Sequence, residues 1–277
     1  MTDKAHAELL EDVLSRYEQS SNPRLREITE AAIRHLHAFA EEVGLQRDEW
    51  MAGIQFLTAT GQMCDDRRQE FILLSDTLGL SSLVEMITHD GTEGSTENTV
   101  LGPFFVPGSP PRQRGESMLV DADDGDRVVI RGTITDTAGA PIAGATLDCW
   151  QNATAGFYAV QQPDVQSADN LRGIYTTGAD GTYEIRTVRP VPYPIPSDGP
   201  AGDLLKAHGR AWMRPGHTHM WVRADGYKDL ITHVFDEETD YLRDDAVFGV
   251  RDSLVRRFVP DASGELATTF DIVLDRR

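Results

Sequence analysis

The chain has 277 residues, and 26 Lys and Arg against 45 Asp and Glu leave a formal charge of −19, which would repel a phosphate backbone and excludes nucleic acid as a partner. Hydrophobic residues at 40%, charged residues at 26%, 24 Gly and 14 Pro are globular values that exclude disordered and collagen-like chains. No apolar run approaches the ~18 residues of a membrane span, so no membrane partner is expected. Two cysteines, Cys64 and Cys149, exclude a disulfide framework and a Cys-built zinc or iron–sulfur site. The polar, acidic start MTDKAHAELLEDV has no signal-peptide core, so the expected location is the cytoplasm. The glycine patterns of nucleotide-binding loops and the GxSxG elbow of serine hydrolases do not occur.

Up to about residue 95 the periodicity is helical. Asn22 reads as an N-cap and Pro23 as the first helical residue; Leu25, Ile28, Leu36, Phe39 and Val43 then recur on one side until Gly44 stops the helix. Further helices are predicted over 47–61, 65–78 and 80–88, with Phe56, Leu57, Ile72, Leu73 and Val84 as core. From residue 96 the pattern turns to strands: RVVIRGTITD, ATLDCWQ, TYEIRTV, THMWVRA, LITHVF and TTFDIVL, separated by Gly, Pro and Asp turns. The expected fold class is mainly β with an α-helical N-terminal region over 1–95, and an antiparallel β-sandwich core over 96–277. The connection from Pro190 to Gly216 exceeds ordinary loop lengths, and loops of that size on a rigid sandwich usually carry function.

Two His-x-His pairs occur. His35 and His37 fall in a helix, where positions two apart diverge by about 200°, so they cannot share an ion. His217 and His219 fall in a strand, where positions two apart face the same way, within reach of one metal. No carboxylate near that strand completes a two-His-one-carboxylate site. Two tyrosines stand in loop settings without an evident packing role: Tyr158 at the end of TAGFY, and Tyr193 among the stiffening prolines of RPVPYPIPSDGP. Two imidazoles and two phenolates would suit a hard trivalent ion, although spacing alone does not establish that set.

The runs TENTVLGPFFVPGSPPR, CWQNATAGFY, RTVRPVPYPIPSDGP and RPGHTHMWV resemble those of the intradiol ring-cleaving dioxygenases, and within them the hydroxyquinol 1,2-dioxygenase branch. The likeness covers nearly the whole chain, including the helical stretch and the late DDAVFGVRDSL. It implies that Tyr158, Tyr193, His217 and His219 hold a non-haem iron(III), with Tyr193 the ligand that leaves when substrate arrives. Arg214, three residues before His217, would stand beside the bound ring and stabilise negative charge on it. The substrate wall would comprise Leu73 and Asp76 from ILLSD, Val100, Leu101, Gly102, Pro103 and Phe104 from VLGPF, Ile195 and Pro196 after Tyr193, and Val247 in AVFG. His233 stands where the catechol branch usually carries glutamine and would serve beside the iron as a base or hydrogen-bond partner. Met220 and Trp221 depart from the residues that usually follow the ligands, which puts strand packing and ligand tilt in question.

The implied activity is insertion of both atoms of O2 into hydroxyquinol (benzene-1,2,4-triol), giving 3-hydroxy-cis,cis-muconate, the enol form of maleylacetate. Asp76 is the residue expected to bond the additional ring hydroxyl; its alternative role is an ion pair with Arg67 or Arg68. Catechol or a substituted catechol is the alternative substrate. Two other classes stand as alternatives: a transthyretin-like binding module, suggested by VVIRGTITDTAGAPIAGATLDCW, and a zinc hydrolase using His217 and His219. The resemblance also implies a homodimer joined through the helical region, where several relatives hold a lipid.

Overall fold

The N-terminal part of the chain forms α1 (Thr2–Ser15), α2 (Pro23–Glu42) and α3 (Arg47–Gln62), followed by α4 (Glu70–Thr77) and α5 (Leu80–Thr88). This computed structural model describes residues 2–65, 68–89 and 93–277, with side chains from Lys4 onward. The chain divides into two compact units, Met1–Ala59 and Thr60–Arg277. Asn22 caps α2 as its sequence requires: its Oδ1 accepts the Leu25 N–H at 3.0 Å, and Pro23 occupies the first turn. Gly44, at φ +59°, ends that helix in the left-handed conformation.

The apolar stripe of α2 does not become core. Leu25, Ile28, Leu36, Phe39 and Val43 are all exposed, as are Leu57, Ile72 and Val84. Phe56 is half-buried, and of the expected helical core only Leu73 is buried. The reason is geometric: a helix buries only the strip its neighbours cover, and periodicity cannot say whether a neighbour exists. The helix expected over 65–78 begins at Glu70, because Asp65 and Arg68 close a turn ahead of it: Asp65 Oδ1 accepts the Arg68 N–H at 2.7 Å. Residues 66–67 of that expectation lie outside the described residues.

Twelve strands follow among the described residues: β1 (Arg127–Asp136), β2 (Thr146–Trp150), β3 (Arg172–Thr176), β4 (Thr182–Val188), β5 (Tyr193–Pro194), β6 (Met213–Arg214), β7 (His217–Arg223), β8 (Leu230–Asp236), β9 (Val255–Arg256), β10 (Val259–Pro260), β11 (Leu266–Thr269) and β12 (Ile272–Leu274). One helix, α6 (Pro200–Ala207), interrupts the long connection between β5 and β6. One sheet has the order β3-β2-β7-β8-β9; the other is built on β1, with β4 along one edge and β11 then β12 along the other. Val128, Ile130 and Ile134 of β1, Tyr183 and Ile185 of β4, Leu147 and Cys149 of β2, and Met220 and Val222 of β7 form the core shared by the two sheets.

The sandwich is mixed, not purely antiparallel. β11 and β12 run parallel to β1, and β9 runs parallel to β8. Alternation in a sequence reports which face a residue takes, not the direction of the neighbouring strand. The run TTFDIVL is also broken at Phe270-Asp271, where it passes over Gly132. A Cβ at Gly132 would lie 2.1 Å from the Phe270 carbonyl oxygen, so only glycine admits that crossing. Asp271 compensates by accepting the Thr133 N–H at 2.9 Å.

Candidate metal centre

The inner face of β7 carries Thr218, Met220 and Val222, so its period of two sends His217 and His219 to the opposite face of the sheet. Gln151 holds Thr218 between them, accepting its hydroxyl at 2.9 Å. Met220 sits in the sandwich core, while Trp221 packs against Phe105 at 5.1 Å between ring centres. The register of β7 with β8 sets His233 beside His219 on the same face. Both ligand-type histidines are buried, whereas His35 is exposed and His37 half-buried on α2.

Each tyrosine is delivered by local structure. After β2 a turn forms in which Gly156 N–H donates to the Ala153 carbonyl and Ala153 N–H to that of Phe157. Tyr158 then donates its N–H to the Gln161 side chain at 2.9 Å, which pins the residue. Tyr193 is held differently, by the two-residue ladder of β5 with β6, in which Tyr193 stands directly opposite Arg214. That short ladder closes the long connection and brings tyrosine and arginine together.

The polar ends meet. Tyr158 Oη lies 3.0 Å from His219 Nε2, and His219 Nε2 lies 3.1 Å from His217 Nε2. Arg214 Nη1 donates to Tyr193 Oη at 3.3 Å and lies 3.2 Å from His217 Nε2. His217 Nδ1 lies 2.7 Å from the Pro215 carbonyl, to which it donates, leaving the lone pair on Nε2. Burial, then the Arg214 charge, holds His217 well below the usual histidine range; burial, then His217 and Arg214, does the same to His219. Both imidazoles are therefore neutral, as ligands must be. Burial pushes the Tyr158 phenol far up, so it would ionise only to a cation placed against it. Two neutral imidazole nitrogens and two phenol oxygens, converging in a buried site, fit a hard, highly charged metal ion. The ring nitrogens of His217, His219 and His233 also lie within 4.8 Å of one another, and His233 stacks on His217 at 4.5 Å.

Arg214 is itself fully buried. Asp245 faces it, with Oδ1 3.2 Å from Nε and Oδ2 3.5 Å from Nη2. The same carboxylate accepts the backbone N–H of Val247 at 3.3 Å and of Gly249 at 2.8 Å. Sequence reasoning missed Asp245 although DDAVFG was in view, and it missed Trp150, whose indole stacks on His219. No local pattern marks either one; both act through partners distant in sequence.

The remaining predicted residues are placed as follows. Leu73, Asp76, Val100, Ile195 and Val247 are buried, Leu101 and Phe104 pack against Tyr158 and Tyr193, Pro196 is half-buried and Pro103 is exposed. Phe104 stacks on Tyr158 at 4.8 Å. Gly102 abuts His219. Burial raises the Asp76 carboxyl above its ordinary range, opposed by the Ser81 hydroxyl and the Arg214 charge. Arg68 is engaged with Glu70 and Asp198, each at 2.8 Å, and Arg67 lies outside the described residues. A cavity of about 350 Å³ opens beside Tyr158, lined also by Val106, Trp150, Val160 and Arg172; Phe104 is the one predicted wall residue that lines it.

Comparison with known proteins bears on this centre. The family described as "Dioxygenase" matches residues 100–276, and "Catechol dioxygenase N terminus" matches residues 22–96. A hydroxyquinol 1,2-dioxygenase of Rhizobium sp. (strain MTP-10005) is 46% identical over 248 residues, covering 90% of this chain and 84% of that protein. A 6-chlorohydroxyquinol 1,2-dioxygenase of Cupriavidus pinatubonensis is 45% identical over 267 residues, covering 96% of each. The solved structure of hydroxyquinol 1,2-dioxygenase from Pseudomonas putida DLL-E4 superposes with a TM-score of 0.93 at 43% identity, covering 99% of this chain and 100% of that one.

Proposed function

The chain belongs to the intradiol ring-cleaving dioxygenases, and from that premise we propose that it cleaves hydroxyquinol between its adjacent hydroxylated carbons, with iron(III) held by Tyr158, Tyr193, His217 and His219. The observation that carries the reading is the meeting of these four side chains against the buried Arg214. The relatives named above support hydroxyquinol over catechol. Both atoms of O2 enter the ring-opened product, so no other reductant or organic cofactor is required.

Bound iron(III) would supply Lewis acidity and a template for the two adjacent substrate oxygens. The protein's own residues do the rest. Tyr193 Oη, which accepts from Arg214 Nη1, would take a proton from a substrate hydroxyl. Arg214 keeps its positive charge despite burial, through Asp245 and the two phenols, and would stabilise negative charge spreading over the ring. Leu73, Val100, Ile195 and Val247, all buried, would provide apolar walls, with Leu101, Gly102, Pro103, Phe104 and Pro196 beside them. His233, held neutral by burial and then by His219, His217 and the Arg214 charge, would serve as a hydrogen-bond partner beside the centre.

Asp76 would accept the third ring hydroxyl. A carboxyl whose ionised form is disfavoured by burial gains from a hydroxyl donor and is left unmet by plain catechol. A site built this way rejects the analogue lacking the hydroxyl more strongly than an apolar wall does. The kcat/KM ratio of hydroxyquinol to catechol tests this. It is expected to favour hydroxyquinol strongly and to shrink in Asp76→Ala through loss of triol activity. An unchanged ratio would remove Asp76 from this role, and faster turnover of catechol by the parent would remove hydroxyquinol as the substrate.

The apolar faces of α2 and α3, with Leu36, Phe39, Trp50 and Leu57 exposed, support association of two copies through residues 1–95, leaving most of the chemistry to 96–277. Sedimentation tests that pairing; a monomer at micromolar concentration would refute it. Nothing among the described residues calls for a lipid there. Among the described residues no single helix is long and apolar enough to cross a membrane, and the two unpaired cysteines suit a reducing cytoplasm.

A further inference from the structure

We propose that Trp150 and Gly102 are positioning residues that set the ring plane of His219, taking the place of the hydrogen bond that sets His217. The inference rests on the metal-centre reading above. The two imidazoles are anchored by different means. His217 ties its Nδ1 to the Pro215 carbonyl at 2.7 Å, which fixes both its tautomer and its rotation. His219 has no such tether: its Nδ1 is buried without a hydrogen-bond partner among the described residues. Metal-binding histidines almost always fasten their second nitrogen, because a free imidazole can swing its lone pair away from the ion. Packing must hold this one.

The contacts that could do so are specific. The register of β2 with β7 sets Trp150 directly opposite His219, and the indole lies against the imidazole with ring centres 4.6 Å apart and planes 11° from parallel. At the ring edge, Gly102 adopts φ +76°, and a Cβ on it would sit 3.2 Å from His219 Cε1. His233 meets the ring edge-to-face at 4.2 Å. Rotation of the imidazole would drive it into the indole on one face, while Gly102, by having no Cβ, leaves the ring edge the space that this plane needs. The indole Nε1 has no hydrogen-bond partner among the described residues, so what His219 uses is the flat aromatic surface and not the N–H. Phenylalanine at 150 should therefore serve, and leucine should not.

The test uses the full chain, stripped of metal and reloaded with iron(III), with apparent affinity read by competition against a chelator and the phenolate-to-iron absorption band read alongside. Trp150→Leu and Gly102→Ala are expected to weaken iron binding by about 10–100-fold and to shift the band. Trp150→Phe is expected to stay near the parent in both. Thermal unfolding of the metal-free variants separates a loosened ligand from a damaged fold. If Trp150→Leu does not fold, Gly102→Ala decides the matter, since it approaches the same ring from a different segment. Parent-like affinity and spectrum in a folded Trp150→Leu, or in Gly102→Ala, would overturn the proposal, and a Phe variant as weak as the Leu variant would overturn the stacking argument. A parent protein that takes up no iron would instead overturn the metal-centre reading, and the clamp with it.

Discussion

Removing Asp245 should be among the most damaging single changes in the sandwich, although the residue touches neither a tyrosine nor a histidine of the centre through any hydrogen bond described above. Arg214 is 2% exposed and Asp245 6% exposed, and their guanidinium–carboxylate contact spans 3.2 and 3.5 Å. Asp245→Ala strands a buried positive charge, which costs about 3–5 kcal/mol. It also leaves the Val247 and Gly249 N–H groups without their acceptor, at about 1 kcal/mol each. At roughly 2–4 °C per kcal/mol for a chain of this size, Tm should fall by about 10–30 °C. The assay is urea and thermal unfolding of the metal-free protein in a double-mutant cycle with Arg214→Met. Asp245→Ala alone should be much worse than the Asp245→Ala, Arg214→Met pair, because the second change removes the charge that the first left unpaired. A loss below about 1 kcal/mol in the single variant, or simple additivity in the cycle, would refute the claim that the pair is buried and coupled.

Two further outcomes follow from the same geometry. His217→Ala and His219→Ala should each lose iron on gel filtration with chelator, whereas His35→Ala and His37→Ala should retain it; iron loss in either helical variant would contradict the face argument. Burial raises the Asp76 carboxyl, so the folded chain holds that proton to higher pH than the unfolded chain, whose aspartates release theirs near the ordinary 3.8. Stability from this group is therefore lost as pH rises from about 3.8 through the raised folded value. Metal-free Asp76→Asn should gain on the parent in urea midpoint between acid and neutral pH; the opposite trend would show that the carboxylate is stabilised in place.

How much of this could be read in advance depends on how local each signal is. β1 and β4 were legible to the residue, because alternation between two turns is a local property. The convergence of His217 and His219 was legible for the same reason. The parallel pairing of β11 and β12 with β1 was not, because it is a choice among distant partners, and the break at Phe270 needed knowledge that Gly132 lies beneath it. β3 was missed because RGIYT offers only two apolar residues in a polar stretch, and α6 because its eight residues sit inside a proline-rich connection. Tyr193 was legible from its proline-rich loop and Arg214 through resemblance, yet their direct opposition depends on a two-residue ladder that no periodicity betrays. Asp245 and Trp150 stayed hidden because a buried partner is recognised only by what it touches. The stripe on α2 marks the reverse failure, an apolar pattern whose residues stay exposed.

The central claim, that Tyr158, Tyr193, His217 and His219 bind one iron(III) on which the chemistry depends, is tested most directly by titrating the metal-free chain with iron(III) in the visible range. The account predicts a phenolate-to-iron absorption that saturates at one iron per chain, weakens in Tyr158→Phe, and changes when hydroxyquinol is added without O2. A colourless protein at saturating iron, or a Tyr158→Phe variant with full colour and full iron, would contradict it.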